Sequence, residues 1–172
     1  YEGIVAGAFQ GYGSAPDGIL PPNLGNAASP STPGGVTDVE KAKALLAGST
    51  NPNPDAVALV YDSGQPADEL VAQIVQANLE EIGLPSELVG LETGAFLDRA
   101  YGLDADAVIW SYGAISPDMI DPLGWLLGTT WLFTGQDTAT LGEQYAAYSS
   151  AVTDADKQAI VVQVQDEAAA TN

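Results

Sequence analysis

The chain has 172 residues, 46% of them apolar, which is enough for a domain with a core of its own. Four Lys and Arg stand against 23 Asp and Glu, and a net charge of -19 repels nucleic acid and anionic membrane surfaces, so neither is a partner. With no Cys and no His, the sequence also excludes disulfides, thiol chemistry, zinc sites of the usual kind and any Ser-His-Asp triad.

The acids are spread along the chain rather than gathered in a tail, as expected of a coated folded surface in a high-salt habitat or of a secreted protein kept soluble by repulsion. No stretch reaches the roughly 18 consecutive apolar residues of a membrane span, and no charged-then-apolar signal opens the chain, so no direct membrane insertion is expected. Ile4, Val5 and Phe9 read as the end of a helix whose start is missing, which makes a fragment or processed form the expectation. Residues 11 to 36 are rich in Gly, Pro, Ser and Asn and read as a long loop, with Pro21-Pro22, Ser29-Pro30 and Pro33-Gly34-Gly35 opposing regular structure.

Thr37 followed by Glu40 fits a capping box that opens a short helix, and Gly48 fits a left-handed stop. After the turn Asn51-Pro52-Asn53-Pro54, residues 56 to 61 are apolar on both faces, as in a buried central strand. Pro66 suits the first position of a helix in which Leu70, Val71, Ile74, Val75, Leu79 and Ile82 form the inner face. Asp68, Glu69, Gln73, Gln76, Glu80 and Glu81 form its wet face, and Gly83 and Pro85 end it. Residues 86 to 91 read as a second strand, parallel to the first through a right-handed crossover. A short helix from about Gly94 to Tyr101 leads to a third strand over Asp106–Tyr112. Beyond it, Pro117 to Leu127 reads as irregular or a short helix. Leu141, Tyr145, Tyr148 and Val152 fit an amphipathic helix with both tyrosines in the core. Thr153 to Asp156 cap a last helix with Ile160, Val161 and Val164 inward.

Trp110-Ser111-Tyr112-Gly113, at a strand's end, is the candidate ligand-binding segment, because ligands of open α/β sheets gather outside the strands' carboxyl ends. A core Trp closing the sheet edge is the alternative. Trp125 and Trp131 either border a cleft or fill the domain. Paired acids occur at Asp104/Asp106, Asp118/Asp121 and Asp154/Asp156, and a glycosidase needs two carboxylates about 5 to 9 Å apart. The last pair is explained by capping, and none of these segments has the acid, Gly and Glu spacing of a calcium loop.

From Gly11 to Trp110 the order of landmarks is itself informative. Gly11-Tyr12-Gly13-Ser14-Ala15-Pro16-Asp17-Gly18-Ile19-Leu20-Pro21-Pro22 is followed by Thr37-Asp38-Val39-Glu40-Lys41-Ala42-Lys43-Ala44-Leu45-Leu46, then strand, helix, Ile82-Gly83 and strand. Over about two thirds of the chain this succession resembles the second lobe of the family 5 extracellular solute-binding proteins, the dipeptide, oligopeptide and nickel receptors of ABC importers. The resemblance implies a single α/β lobe over residues 1–172 of the periplasmic-binding-protein type, with a small mixed sheet flanked by helices. It implies a substrate-binding function without enzymatic activity or cofactor. The implied partners are a small-molecule or peptide ligand, a first lobe of the same receptor absent from this chain, and a membrane permease. The implied location is extracellular or periplasmic, with anchoring through a lipidated N-terminus outside this chain left open. In the family a Trp-x-x-Asp segment borders the ligand cavity, and its Asp receives a peptide's amino terminus. Trp110 matches, as does Asp104 six positions earlier, but Gly113 stands where the acid is expected, leaving Asp118 or Asp121 as substitutes. An interaction module built on the same lobe and a carboxylate-based hydrolase are the rival readings.

Overall fold

The apolar run after Pro54 forms β1 (Val57–Asp62), in which every residue after Val57 is buried. This is a computed structural model, and it describes residues 2–14, 37–52, 54–111, 113 and 139–170. β2 (Ser86–Leu91) and β3 (Ala107–Ile109) lie on either side of β1, giving the order β2-β1-β3. Val57 pairs with Ser86 and Asp62 with Leu91 along one side, and Leu59 to Tyr61 pair with Ala107 to Ile109 along the other, all parallel. The mixed sheet expected from the resemblance is therefore a parallel one among the described residues. A parallel pair needs a long crossover, and α3 (Pro66–Glu81) supplies it between β1 and β2.

Alternation along β1 separates Ala58 and Val60 from Leu59 and Tyr61. Ala58 and Val60 pack with Phe96 of α4 (Thr93–Tyr101), which is 1% exposed, and Val89, Leu91, Leu97, Ala105 and Trp110 surround them. Burying a side chain of that size stabilises the fold by about 2 kcal/mol. α3 packs on β1 and β2, and its Gln76 amide donates to the Ser86 carbonyl at 3.0 Å, fastening the helix to the start of β2. α1 (Glu2–Gly7) lies against α3, where Gly7 leaves room for Ile74.

Several local expectations shift by a residue or reverse. α2 (Val39–Ala47) is capped by Asp38 rather than Thr37, its carboxylate accepting from the Lys41 amide at 2.9 Å. Gly48 has φ -88°, so α2 stops in a right-handed turn, whereas Gly83 after α3 is left-handed at φ +87°. Pro66 occupies the first turn of α3 as expected. Asp68, assigned to the wet face, is 1% exposed, and Leu70, assigned to the inner face, is 42% exposed. β3 is shorter than the 106 to 112 expected, because it pairs only with the middle of β1 and Trp110 leaves the ladder to pack on α4.

The chain divides into two compact units, Tyr1–Ser14 with Val36–Tyr112, and Ala15–Gly35 with Gly113–Asn172. The sheet and its helices belong to the first. In the second, α5 (Ala139–Ser150) packs on α6 (Asp154–Ala170), and Tyr148, Val161 and Val164 are buried. Gln144 donates to Glu167 across this pair at 2.6 Å. Thr153 caps α6, its hydroxyl oxygen accepting from the Asp156 amide at 3.1 Å. Val152 lies beyond the end of α5 and is 94% exposed, contrary to the inward position expected. Asp118, Asp121, Trp125, Trp131, the 117 to 127 segment and residues 15 to 36 of the loop lie outside the described residues. Among the described residues no helix is long and apolar enough to cross a membrane.

Candidate functional site

Parallel strands end together, so whatever follows each of them converges at one edge of the sheet. Here β1 ends in Asp62, Thr93 opens the helix after β2, and Trp110 and Ser111 follow β3. The first turn of α3 adds Asp68, and Gln65 precedes that helix without a capping bond from its side chain. These residues, with Phe96 and Leu97 as an apolar floor, line a cavity of about 270 Å³. Trp110 and Ser111 are thus brought into one site. Tyr112 lies outside the described residues, and Gly113 is exposed, with no described residue within 4 Å of where a Cβ would point.

Trp110 answers to both readings of it. Its ring meets Phe96 edge-on at 5.4 Å and 90° and Tyr101 at 6.0 Å and 69°, so it extends the core, yet it also faces the cavity. The stacking fixes its orientation and gives the cavity a rigid aromatic wall.

The polar part of the lining is organised in two pairs. Asp62, 5% exposed, accepts from the Gly64 amide through Oδ1 at 2.8 Å and from the Thr93 hydroxyl through Oδ2 at 2.9 Å. Asp68, 1% exposed, accepts a hydrogen bond from the Ser111 hydroxyl through Oδ1, and its Oδ2 is buried without a partner among the described residues. Among the described residues no Lys or Arg lines the cavity. Neither member of the Asp104/Asp106 pair reaches it: Asp104 sits beside Arg99 at 3.8 Å, and Asp106 accepts from the Ala58 amide at 3.0 Å, anchoring the start of β1. Among the described residues no three potential metal ligands cluster.

Residues 1–133 match the model of the family described as bacterial extracellular solute-binding proteins, family 5 Middle. The chain belongs to this family. No curated protein matches it. Solved structures share its fold along nearly its whole length. The PBP AgaA from A. tumefaciens, in complex with agropinic acid, is 25% identical with a TM-score of 0.78, covering 96% of this chain and 35% of its own. A dipeptide-binding protein from Pseudoalteromonas in complex with Met-Leu is 20% identical with a TM-score of 0.81, covering 98% and 35%. The ABC transporter-associated protein DppA from Helicobacter pylori, in complex with the peptide STSA, is 17% identical with a TM-score of 0.81, covering 98% and 34%. The chain therefore spans about a third of the length of these proteins.

For this family 5 chain, sequence reasoning singled out Trp110 and Ser111, which line the cavity, and did not single out Asp62 and Asp68, which line it too. Asp68 reads as solvent-facing because it falls outside the apolar positions that recur at helical spacing in α3, and nothing local links it to Ser111, 43 positions away. One signal was available: Asp62 closes an otherwise apolar central strand, and a polar residue at that place points toward a site at the strands' ends.

Proposed function

We propose that this chain forms one wall of the ligand cleft in the substrate-binding component of an ABC importer, with Trp110 and Ser111 on that wall. One observation carries the reading: a cavity walled by Trp110 lies at the carboxyl ends of three parallel strands in a chain of a solute-binding family. In such a receptor two lobes close on a solute and the closed form engages a membrane permease, so affinity depends on both walls. The related structures hold ligands as different as agropinic acid and peptides, which favours a peptide or similar small solute without choosing among them. The site's chemistry supports binding rather than hydrolysis. Both oxygens of Asp62 already accept hydrogen bonds, and Asp68 Oδ2 is buried, so neither carboxylate is presented as a free nucleophile or proton donor.

Calorimetric titration of the chain with short peptides and small acidic and neutral solutes tests the proposal. With one wall present, saturable binding no tighter than roughly the millimolar range, about 4 kcal/mol, is expected. Micromolar affinity for this chain alone would contradict the two-wall mechanism. Absence of binding across the panel, with the Trp110 environment unchanged, would remove the site.

A further inference from the structure

The two hydroxyl groups on the cavity share a feature that decides what they offer a ligand. A serine or threonine hydroxyl has one proton to give and lone pairs with which to accept. Thr93 gives its proton to Asp62, and Ser111 gives its proton to Asp68. Both hydroxyl residues are exposed, whereas the carboxylates that hold them are 5% and 1% exposed. Both residues line the cavity, and their hydroxyl oxygens, having committed the proton to these bonds, are left with lone pairs only, each bonded to a buried carboxylate. With no basic side chain among the described residues of the lining and the Trp110 ring beside them, the polar groups form an acceptor array next to an aromatic wall.

We propose that this cavity is a subsite for the ammonium end of an organic cation, with Thr93 and Ser111 as the contacting acceptors and Asp62 and Asp68 as the positioning residues that orient them. The proposal rests on the reading of this cavity as a ligand site. An ammonium group offers three donors and no acceptor, which complements two acceptor oxygens, and its charge is attracted by the carboxylates and by the face of an indole. A ligand carboxylate or phosphate meets lone pairs and negative charge instead and is rejected. At about 270 Å³ the cavity lies just below the range of a whole small-molecule site, roughly 300 to 1,000 Å³, and suits the end group of a larger solute. The position is distinct from residue 113, where Gly113 carries no functional group, and it requires no acid there.

The test uses the whole chain, labelled with ¹⁵N and titrated at fixed ionic strength with 3-phenylpropylammonium, 3-phenylpropan-1-ol and 3-phenylpropanoate. The amide shifts of Gly64, Thr93 and Ser111 are the readout. Saturable shifts with the ammonium probe at an affinity at least tenfold above the other two are expected. A net charge of -19 attracts any cation diffusely, so variants that keep the charge are decisive. Thr93→Ala and Ser111→Ala are each expected to weaken ammonium binding at least fivefold while changing binding of the alcohol less than twofold. Asp68→Asn lets the amide donate to Ser111 and frees its proton for the cavity, so the preference for ammonium over alcohol is expected to fall about tenfold. Thermal melts of every variant run alongside. Saturable binding that is blind to charge, or hydroxyl variants that lose stability but keep the ammonium preference, would overturn the proposal while leaving the cavity a ligand site. No saturable shift at these amides with any probe would overturn both.

Discussion

Trp110 carries two loads, and its substitution separates them. Its ring packs on Phe96 and Tyr101 while lining the cavity, so Trp110→Ala is expected to lower stability by about 1 to 3 kcal/mol, below the full value for a buried aromatic because the residue is only half-buried. Trp110→Phe keeps much of the packing with a smaller aromatic wall, and urea unfolding of the two variants is expected to rank them in that order. Equal midpoints for Trp110→Ala and the parent would mean that the ring does not support the core. Gly90 makes a sharper case. A Cβ there would lie 2.8 Å from the Tyr61 hydroxyl oxygen and 2.9 Å from its ring, and Tyr61 is buried in the central strand. Gly90→Ala is therefore expected to cost about 1 to 3 kcal/mol by overpacking, and Tyr61→Phe, which removes the hydroxyl, to recover part of that loss. Additive effects in a double-mutant cycle on urea midpoints would refute the contact. The core role of Trp110 is one of its two sequence readings, whereas the Gly90 contact is not legible in the sequence, which does not say that a tyrosine ring from the neighbouring strand fills its place.

At the scale of elements, the readable features were those set by short-range rules. β2 spans the residues expected, β1 is displaced by one, and their parallel pairing follows from an apolar run, a helix-length crossover and a second run. The features that went astray depend on partners distant in sequence. β3 shortens because its ladder partner offers it only Leu59 to Tyr61, and Asp68 is buried because Ser111 arrives beside it after β3. The cap of α2 was misplaced for another reason: Thr37 and Asp38 are both good capping residues, and only geometry shows that the Asp38 carboxylate reaches the Lys41 amide. Asp106 gives this scale its own test. Its carboxylate accepts from Ala58 N at 3.0 Å, where β1 needs a partner before its ladder with β3 begins at Leu59. Asp106→Ala leaves that amide unsatisfied and is expected to cost about 1 kcal/mol, with faster hydrogen exchange at Ala58 and little change at Val60. Unchanged exchange at Ala58 would show that the bond does not hold the strand's entry.

Across the whole molecule the strongest influence that no single contact describes is charge. Among the described residues the two ion pairs, Lys43 with Glu40 and Arg99 with Asp104, are solvent-facing and contribute little, while 23 acids against four bases repel one another over the surface. Unfolding moves those acids apart, so repulsion destabilises the compact state more than the open chain. The Debye length falls from about 30 Å at 0.01 M to about 10 Å at 0.1 M and about 3 Å at 1 M salt. Stability is therefore expected to rise with sodium chloride, with most of the gain complete once screening reaches the spacing between neighbouring acids. A gain of about 1 to 2 kcal/mol corresponds to a melting temperature higher by roughly 2 to 8 °C for a chain of this size. The shape of the curve identifies the cause: screening saturates, whereas strengthening of apolar burial by sulfate continues to grow with concentration. Melting curves in sodium chloride, sodium sulfate and sucrose separate the two. A melting temperature that stays flat in chloride while rising in sulfate and sucrose would show that the acids are far enough apart to leave the fold unstrained, and that the charge of -19 serves solubility alone.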